Sequence, residues 1–295
     1  MTTGFFPNLY SIGAMRCATT TTHEVLGLHP EICMSAVKEP MFWRAESMRA
    51  SNDPASADFA QQGRFRSIDQ YRSLFDFTNA SYRYFGESSH YLDHPELAPF
   101  IHRYSPRSKI IISIRNPIER LMSEYRFFVL NNSSNAGLDE WIECESAPGR
   151  RYTKGLYSSG ASRFVEVFGR QQVHFRVLED LVTDPQRSNQ ELFEFLDVAP
   201  VETPLVHREN SHFNHSPIRQ SYLKCRGLVS RVIPFKVRRK VRRSLEMRAA
   251  PSVVSGNHEE LSTSNAERLR TLYRDDIARI SDLIGRDLTS LWASG

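Results

Sequence analysis

The stretch that decides the fold spans residues 109–123 and reads KIIISIRNPIERLMS. Lys109 to Ile114 form a nearly continuous β-branched run, which is typical of a central strand covered on both faces. Asn116 then fits a helix N-cap and Pro117 the first helical position, so the pattern predicts a helix that runs to about Leu130. The sequence here predicts a buried strand followed directly by a helix.

The same order of strand, loop and helix recurs on both sides of this stretch. Before it, a short apolar run at Asn8 to Ile12 precedes a predicted helix at Thr19 to Leu28. After it, a strand at Val173 to Leu178 precedes a helix at Pro185 to Leu196. Strands that alternate with helices indicate an α/β fold with a central parallel sheet flanked by helices.

Two parts of the chain lack this order. The polar segment from Glu46 to Gln62 is predicted to be a surface excursion, and residues 205–260 make the C-terminal third less regular. No repeat of fixed period occurs, and no clear linker divides the chain. We therefore expect a single domain over residues 1–295.

The composition excludes several classes of protein. The 295 residues are 40% hydrophobic and 24% charged, which excludes disorder as the main state. The four cysteines show no CxxC or CxxH spacing, which argues against zinc and disulfide scaffolds and predicts reduced thiols in the cytoplasm. No signal-peptide pattern and no run of about 18 apolar residues occurs, so neither secretion nor membrane spanning is expected. The net charge of +4 is too small for a nucleic-acid-coating protein but suits a small-anion site.

The first predicted strand leads into a loop suited to binding an anion. Residues 13–22 read GAMRCATTTT, so a small-residue turn delivers a helix N-terminus with Arg16 and the hydroxyls of Thr19, Thr20 and Thr21. The loop fails the Walker pattern GxxxxGK[ST], because Ala18 replaces the second glycine and a threonine replaces the lysine. A nucleotide kinase or other P-loop NTPase is therefore a disfavoured alternative. The alternative without a binding function is a threonine-capped helix that follows a strand.

The loop after the buried strand offers a second anion site. Arg115 ends the strand, and Ser123 lies seven residues beyond Asn116, which is two helical turns and hence on the same helix face. In a parallel sheet, ligands bind beyond the carboxyl ends of the strands, where both loops lie. The alternative is that Arg115 pairs with a carboxylate such as Glu119 and that Ser123 is a surface hydroxyl.

With both loops in view, the sequence resembles the sulfotransferases that use 3′-phosphoadenosine 5′-phosphosulfate (PAPS), nearest to the heparan-sulfate-type and related bacterial enzymes. The family's [KR]xGTT phosphosulfate loop is matched by residues 16–20, and its 3′-phosphate motif by Arg115 and Ser123. Further matches are LHPEI, KEPMFW, GESSHYL, KGLY, LEDLVTDP and the final GRDLTSLW. The resemblance implies a P-loop NTPase-like sulfotransferase fold and no metal. It also implies a nucleotide site built from Arg16, Cys17, Ala18, Thr19, Thr20, Thr21, Arg115 and Ser123.

The resemblance also implies roles on the acceptor side. Glu39, in the motif KEP, matches the glutamate that serves as the base in heparan-sulfate-type enzymes, and the alternative is that KEP is only a surface turn. Arg16 is expected to stabilise negative charge electrostatically, since arginine is a poor proton donor. Lys38 and His90 are candidates for acceptor binding. Arg219, in NHSPIR, is the candidate for the loop that closes over the nucleotide. The expected acceptor is a hydroxyl or amine of a small molecule, sugar or lipid, with no nucleic-acid partner.

Two features of the C-terminal third raise the possibility of other binding functions. The histidines at 207, 212 and 215 match no rigid metal-ligand spacing, so metal binding is not expected. Residues 224–243 hold nine Lys/Arg residues and no acid. A solvated helix with a core-facing stripe is favoured there over peripheral contact with a membrane. The alternative to an enzyme is a non-catalytic protein that binds polyanions or membrane surfaces through this segment.

Overall fold

A parallel five-stranded sheet forms the centre of the fold. The computed structural model describes residues 6–50, 65, 67–132, 137–143, 151–203 and 261–293. The strand order is β2-β3-β1-β4-β5, and every pairing is parallel. The strands are β1 Leu9–Ser11, β2 Ile32–Met34, β3 Tyr84–Ser88, β4 Lys109–Ile114 and β5 Val173–Val177.

Helices connect the strands and cover both faces of the sheet. They are α1 Thr19–Leu26, α2 Phe42–Ala50, α3 Ile68–Arg72, α4 Leu97–Tyr104, α5 Pro117–Asn132, α6 Leu138–Glu143, α7 Ser158–Phe168, α8 Leu178–Thr183, α9 Pro185–Phe195, α10 Thr263–Ile284 and α11 Leu288–Trp292, with 3-10 helices at Arg151–Gly155 and Arg170–Gln172. No helix in these described ranges is both long enough and apolar enough to cross a membrane.

The stretch around β4 folds as its sequence predicts. The apolar side chains of β4 are buried, because the strand lies between two neighbours and is covered on both faces. Asn116 caps α5, since its Oδ1 accepts hydrogen bonds from the amides of Ile118 (2.9 Å) and Glu119 (3.3 Å). Pro117 opens the helix, where it needs no amide proton. The predicted strand and helix are both confirmed.

The two faces of the sheet bury separate apolar clusters. On one face, Leu9 and Ile111 pack with residues of α1 and α9 such as Val25 and Leu192. On the other face, a larger cluster joins the sheet to α2, α4 and α7, and Trp43 lies at 0% exposure within it. Burial on both faces fixes the direction and register of the strands, because a slip by one residue would turn buried side chains outward.

Three parts of the chain differ from the sequence-based expectations. Strand β3 was not expected, although it lies next to β1 in the sheet. The predicted surface excursion at Glu46–Gln62 begins as a regular helix, because Glu46 to Ala50 belong to α2, whose Phe42 and Trp43 are buried in the core; residues 51–62 lie outside the described residues. The long helix α10 was also not expected. Of the less regular segment 205–260, nothing lies within the described residues.

Candidate active site

The candidate site lies at the carboxyl ends of β1 and β4, which are neighbours in the sheet. The loop after β1 is in direct contact with β4, since the amide of Ala14 donates to the carbonyl of Ser113 at 3.0 Å. A Cβ atom on Gly13 would lie 2.6 Å from the backbone nitrogen of Ser113, so only glycine fits there. The two anion loops that the sequence predicts are thus brought together at adjacent strand ends.

The first loop ends in a helix N-terminus with unfilled amides. Ala18 is the N-cap of α1 and makes no side-chain capping hydrogen bond. The first intrahelical amide bond runs from Thr22 to the carbonyl of Ala18 at 3.0 Å, which leaves the amides of Thr19, Thr20 and Thr21 without intrahelical acceptors. Thr20 is exposed and the other two are half-buried. Three free amides, three hydroxyls and the helix dipole suit a phosphate or sulfonate group.

Three predicted ligand-binding side chains meet beside this helix. The Nε atom of Arg16 donates to the Oγ atom of Ser123 at 3.1 Å, and Arg115 donates to the carbonyl of Arg16 at 3.5 Å. The pKa of Arg16 is lowered mainly by burial and, to a smaller extent, by the neighbouring Arg115 guanidinium. Two neighbouring guanidinium groups in a half-buried site repel each other, and a bound anion would relieve that repulsion. Ser123 is 1% exposed, so the alternative of a surface hydroxyl is wrong.

Arg115 also has a competing carboxylate. Its guanidinium, whose side chain is 12% exposed, lies 3.4 Å from the carboxylate of Glu119, one helical turn away and 41% exposed. The guanidinium has further N–H donors that this one contact does not use. The pairing with Glu119 that the sequence offered as the alternative is therefore present, and it leaves Arg115 other donors for an anion.

Residues far away in sequence hold the second loop in place. The hydroxyl of Tyr157 donates to the carbonyl of Arg115 at 2.9 Å, and the amide of Asn116 donates to Glu179 at 2.8 Å. The Asn116 side-chain amide donates to the carbonyl of Trp292 at 3.1 Å. Sequence reasoning missed these supports as site elements, although the KGLY match contains Tyr157. They fix the backbone from which Arg115 projects.

A further cation near the first loop was also missed as a site residue. The Nζ atom of Lys154 lies 3.1 Å from Glu124 and 3.9 Å from the sulfur of Met15. The buried Arg120 shares the same carboxylate at 2.7 Å. Glu124 thus pairs with two cations one residue after Ser123, which orients this part of α5 towards the loop.

The predicted acceptor-side residues lie at the end of β3, next to β1. The amide of Glu39 donates to the carbonyl of Ser88 at 2.9 Å, and the Ser88 hydroxyl donates to the carbonyl of Thr19 at 3.4 Å. Glu39 Oε1 lies 2.5 Å from the Nζ atom of Lys38. Burial acts to raise the pKa of Glu39, but the Lys38 ammonium outweighs it and lowers this pKa. Glu39 is therefore ionised at neutral pH, and its side chain is 46% exposed.

His90 lies close to this pair. Burial lowers the pKa of His90 to about 4, although the charge of Glu39 acts in the opposite direction. Its Nδ1 atom is buried and has no hydrogen-bond partner among the described residues. The imidazole is therefore neutral at pH 7, and the structure brings the predicted base Glu39 and the acceptor-binding candidate His90 to one side of the first loop.

Comparison with known proteins decides the family. The sequence model of the sulfotransferase family matches residues 7–202, about two thirds of the chain. The chain belongs to the sulfotransferase family.

Individual relatives are more distant. Carbohydrate sulfotransferase 15 of Mus musculus is 25% identical over 248 residues, which cover 66% of this chain and 44% of that protein. The bifunctional heparan sulfate N-deacetylase/N-sulfotransferase 1 of Caenorhabditis elegans is 22% identical over 232 residues, which cover 75% of this chain and 26% of that protein. The chain thus spans less than half the length of these curated relatives. The crystal structure of a sulfotransferase from Alicyclobacillus acidocaldarius superposes with a TM-score of 0.69 at 24% identity, covers 98% of this chain and 100% of that one, and supports the fold.

The geometry of the first loop bears on two of its positions. Ala18 replaces the family's usual glycine and adopts φ 55°, in the left-handed region that glycine favours. Cys17 is 1% exposed, and burial raises the pKa of its thiol to about 12. The thiol is therefore neutral and faces the core, so Cys17 offers a ligand only its backbone amide.

Some predicted residues cannot be placed. Arg219, the basic segment 224–243 and the C-terminal histidines all lie outside the described residues. Within the ranges that are described, no group of three or more His, Cys, Asp or Glu side chains is arranged to hold a metal ion. The structure thus describes the predicted site residues from Arg16 to Ser123, and Arg219 lies outside it.

Proposed function

We propose that this protein transfers the sulfonate group of PAPS to a hydroxyl or amine acceptor and releases 3′-phosphoadenosine 5′-phosphate (PAP). The observation that carries the proposal is the convergence of Arg16, Arg115 and Ser123 beside the uncapped N-terminus of α1. Membership of the sulfotransferase family supports it. PAPS carries anionic groups at both ends of its ribose, which matches two anion loops on neighbouring strands.

The donor groups are assigned to the two loops by their chemistry. The amides and hydroxyls of Thr19, Thr20 and Thr21 hold the 5′-phosphosulfate, while Arg115 and Ser123 hold the 3′-phosphate. The Arg16 guanidinium projects from the first loop and reaches Ser123, so it lies between these two positions and can serve either anion. Cys17 and Ala18 contribute backbone groups to the same loop.

Sulfonate transfer then needs a base and stabilisation of the leaving group. Glu39 accepts the proton of the acceptor O–H or N–H group as that atom attacks sulfur in line. The bond between sulfur and the bridging oxygen breaks, and negative charge grows on the 5′-phosphate of PAP. Arg16 and the amides at the start of α1 stabilise that charge, because they are fixed donors aimed at the place where it develops.

Lys38 has a role that changes during this step. In the structure its ammonium pairs with Glu39, which keeps that carboxylate ionised. When sulfonate oxygens arrive, Lys38 can bind them and free Glu39 to accept the proton. His90 stays neutral at pH 7 and is the second candidate base.

The acceptor is proposed to be a carbohydrate, lipid or other small molecule with a free hydroxyl or amine. The names of the curated relatives, a carbohydrate sulfotransferase and a heparan sulfate N-sulfotransferase, make carbohydrates the first class to test. The donor site itself requires no metal. We also propose a cytoplasmic location, on the reduced-thiol argument; Cys17 and Cys33 are both free thiols.

The direct test is transfer of radiolabelled sulfonate from PAPS to a panel of sugars, lipids and phenols, with Arg16→Ala as the inactive control. We expect labelled product with at least one acceptor, in amounts that match the PAP released. A nucleotide kinase or NTPase would instead turn over ATP in a magnesium-dependent reaction. ATP turnover with no transfer from PAPS would overturn the proposal.

A further inference from the structure

The Arg16 side chain contacts two residues of α5. Its Nε atom donates to the Oγ atom of Ser123 at 3.1 Å, and its guanidinium carbon lies over the ring of Phe127, 4.9 Å from the ring centre. Ser123 and Phe127 are four residues apart, so they are one helical turn apart on the same face of α5. One residue thus binds an edge of the guanidinium, and the other covers its face.

The Phe127 ring lies at the surface beside the candidate site. Phe127 is 40% exposed, whereas Leu121 and Tyr125 on the same helix are buried. A single exposed apolar side chain needs no explanation by itself. This ring, however, contacts a cation, and the electron-rich face of an aromatic ring attracts a guanidinium group. Phe127 therefore stabilises the charged side chain that lies across it.

Arg16 needs such a contact because a second cation lies close to it. The Arg115 guanidinium donates to the carbonyl of Arg16 at 3.5 Å, and the two positive charges repel each other. Burial and, to a smaller extent, this repulsion lower the pKa of Arg16. An aromatic face offsets the repulsion without carrying a negative charge. A carboxylate in the same place would compete with an anionic ligand, and a phenyl ring does not.

The two contacts leave donors available for a ligand. Within the described part of the chain, Nε is the only nitrogen of the Arg16 side chain that makes a hydrogen bond, so both Nη groups can donate to an anion. The Ser123 hydroxyl accepts from Arg16 and can donate its own proton to a phosphate oxygen. The arrangement thus orients Arg16 without using up the groups that the candidate site needs.

We infer that Phe127 is a positioning residue, which keeps the Arg16 guanidinium in the orientation from which its Nη groups reach the anionic groups of PAPS. The inference rests on the proposed function, since it takes Arg16 as a ligand of the donor. Phe127 acts through Arg16 and contacts neither donor nor acceptor. An aliphatic side chain of similar size would lose the attraction to the cation. The long arginine side chain would then regain rotamer freedom, which binding of an anion must remove again.

The test replaces Phe127 by leucine, which keeps the apolar bulk, and by tyrosine, which keeps the ring. The matched control is Phe128→Leu. The guanidinium carbon of Arg151 lies 5.1 Å from the centre of the Phe128 ring, so this change removes the same kind of contact one residue away. Successive helix residues point about 100° apart, and Phe128 packs in the apolar cluster around Trp141. The control therefore leaves the surroundings of Arg16 unchanged.

The first readout is hydrogen exchange of the Arg16 Nε proton, measured by NMR without a ligand and assigned by the loss of its signal in Arg16→Ala. We expect this proton to exchange about 3- to 10-fold faster in Phe127→Leu than in the wild type. Phe127→Tyr and Phe128→Leu should exchange at the wild-type rate. An unchanged rate in Phe127→Leu overturns the inference, and so does an equal acceleration in Phe128→Leu.

The second readout is the affinity for PAP, measured by calorimetry in a double-mutant cycle. Phe127→Leu should weaken PAP binding about 3- to 10-fold in the wild type but less than about 2-fold in the Arg16→Ala background, and Phe127→Tyr should bind like the wild type. An equal loss in both backgrounds would show that the ring contacts the nucleotide itself and overturn the inference. Wild-type affinity of Arg16→Ala would instead refute the role of Arg16 in the proposed function, so the two failures are distinguishable.

Discussion

Replacing Ala18 by glycine should stabilise the protein, because Ala18 is the N-cap of α1 and adopts φ 55° and ψ 26°. A left-handed conformation costs an L-residue about 1–2 kcal/mol, and glycine avoids most of this cost. Glycine also makes the unfolded chain more flexible, which offsets about 0.4–1 kcal/mol of the gain. The net expectation is a free energy of unfolding higher by about 0.5–1 kcal/mol. Because the chain is long, this corresponds to a rise of only about 1–2 °C in Tm.

Urea unfolding is the more sensitive assay for this change, with Ala278→Gly as the matched control. Ala278 is exposed in the middle of α10, where glycine should lower the free energy of unfolding by about 1 kcal/mol. The two alanine-to-glycine changes should therefore shift the urea midpoint in opposite directions. The affinity for PAP should not fall in Ala18→Gly, since the loop keeps its backbone conformation. A loss of stability equal to that of Ala278→Gly would refute this account of the loop.

Three more predictions follow from the site and its surroundings. Glu39→Gln should lower the transfer rate about 10²- to 10⁴-fold and leave PAP affinity unchanged in calorimetry; a near wild-type rate would make His90 the next base to test. Tyr157→Phe removes the hydroxyl that holds the Arg115 carbonyl and should weaken PAP binding about 3- to 10-fold, whereas unchanged affinity would show that the loop needs no such support. Burial lowers the pKa of His174 to about 4, below its unfolded value of about 6.5, so the wild type should lose stability as pH falls through this range. His174→Gln should lose less, as judged from urea midpoints at pH 7 and pH 5; an equal loss would contradict the assignment.

The parts of the fold with local signals could be predicted from the sequence. The run of isoleucines and the Asn116-Pro117 cap gave β4 and the start of α5 to the residue. Strand β3 was missed because Gly86 and Glu87 interrupt its apolar pattern. The buried carboxyl group of Glu87 accepts a hydrogen bond from the hydroxyl of Tyr71, which lies outside the strand, and no local sequence pattern predicts such a partner.

In the candidate site, too, the features with a local sequence signal could be predicted and the contacts between distant residues could not. Each candidate anion loop could be located from its own residues, and the rule for parallel sheets predicted that both lie at one edge of the sheet. The hydrogen bond between Arg16 and Ser123 joins residues 107 positions apart, and only the fold shows it. The supports of the second loop, such as Tyr157 and Glu179, act through contacts with backbone groups of distant residues. A pattern search does not find them, because a backbone carbonyl accepts from any donor that the fold brings near.

The most direct test of the central claim is a comparison of PAP with AMP as ligands in thermal unfolding and calorimetry. The two differ in the 3′-phosphate, which Arg115 and Ser123 are proposed to hold. At 100 times its dissociation constant, PAP should stabilise the protein by about 2.7 kcal/mol, and AMP at the same concentration should do far less. Arg115→Ala should bring PAP down to the level of AMP. Equal stabilisation of the wild type by PAP and AMP would contradict the assignment of this site to PAPS.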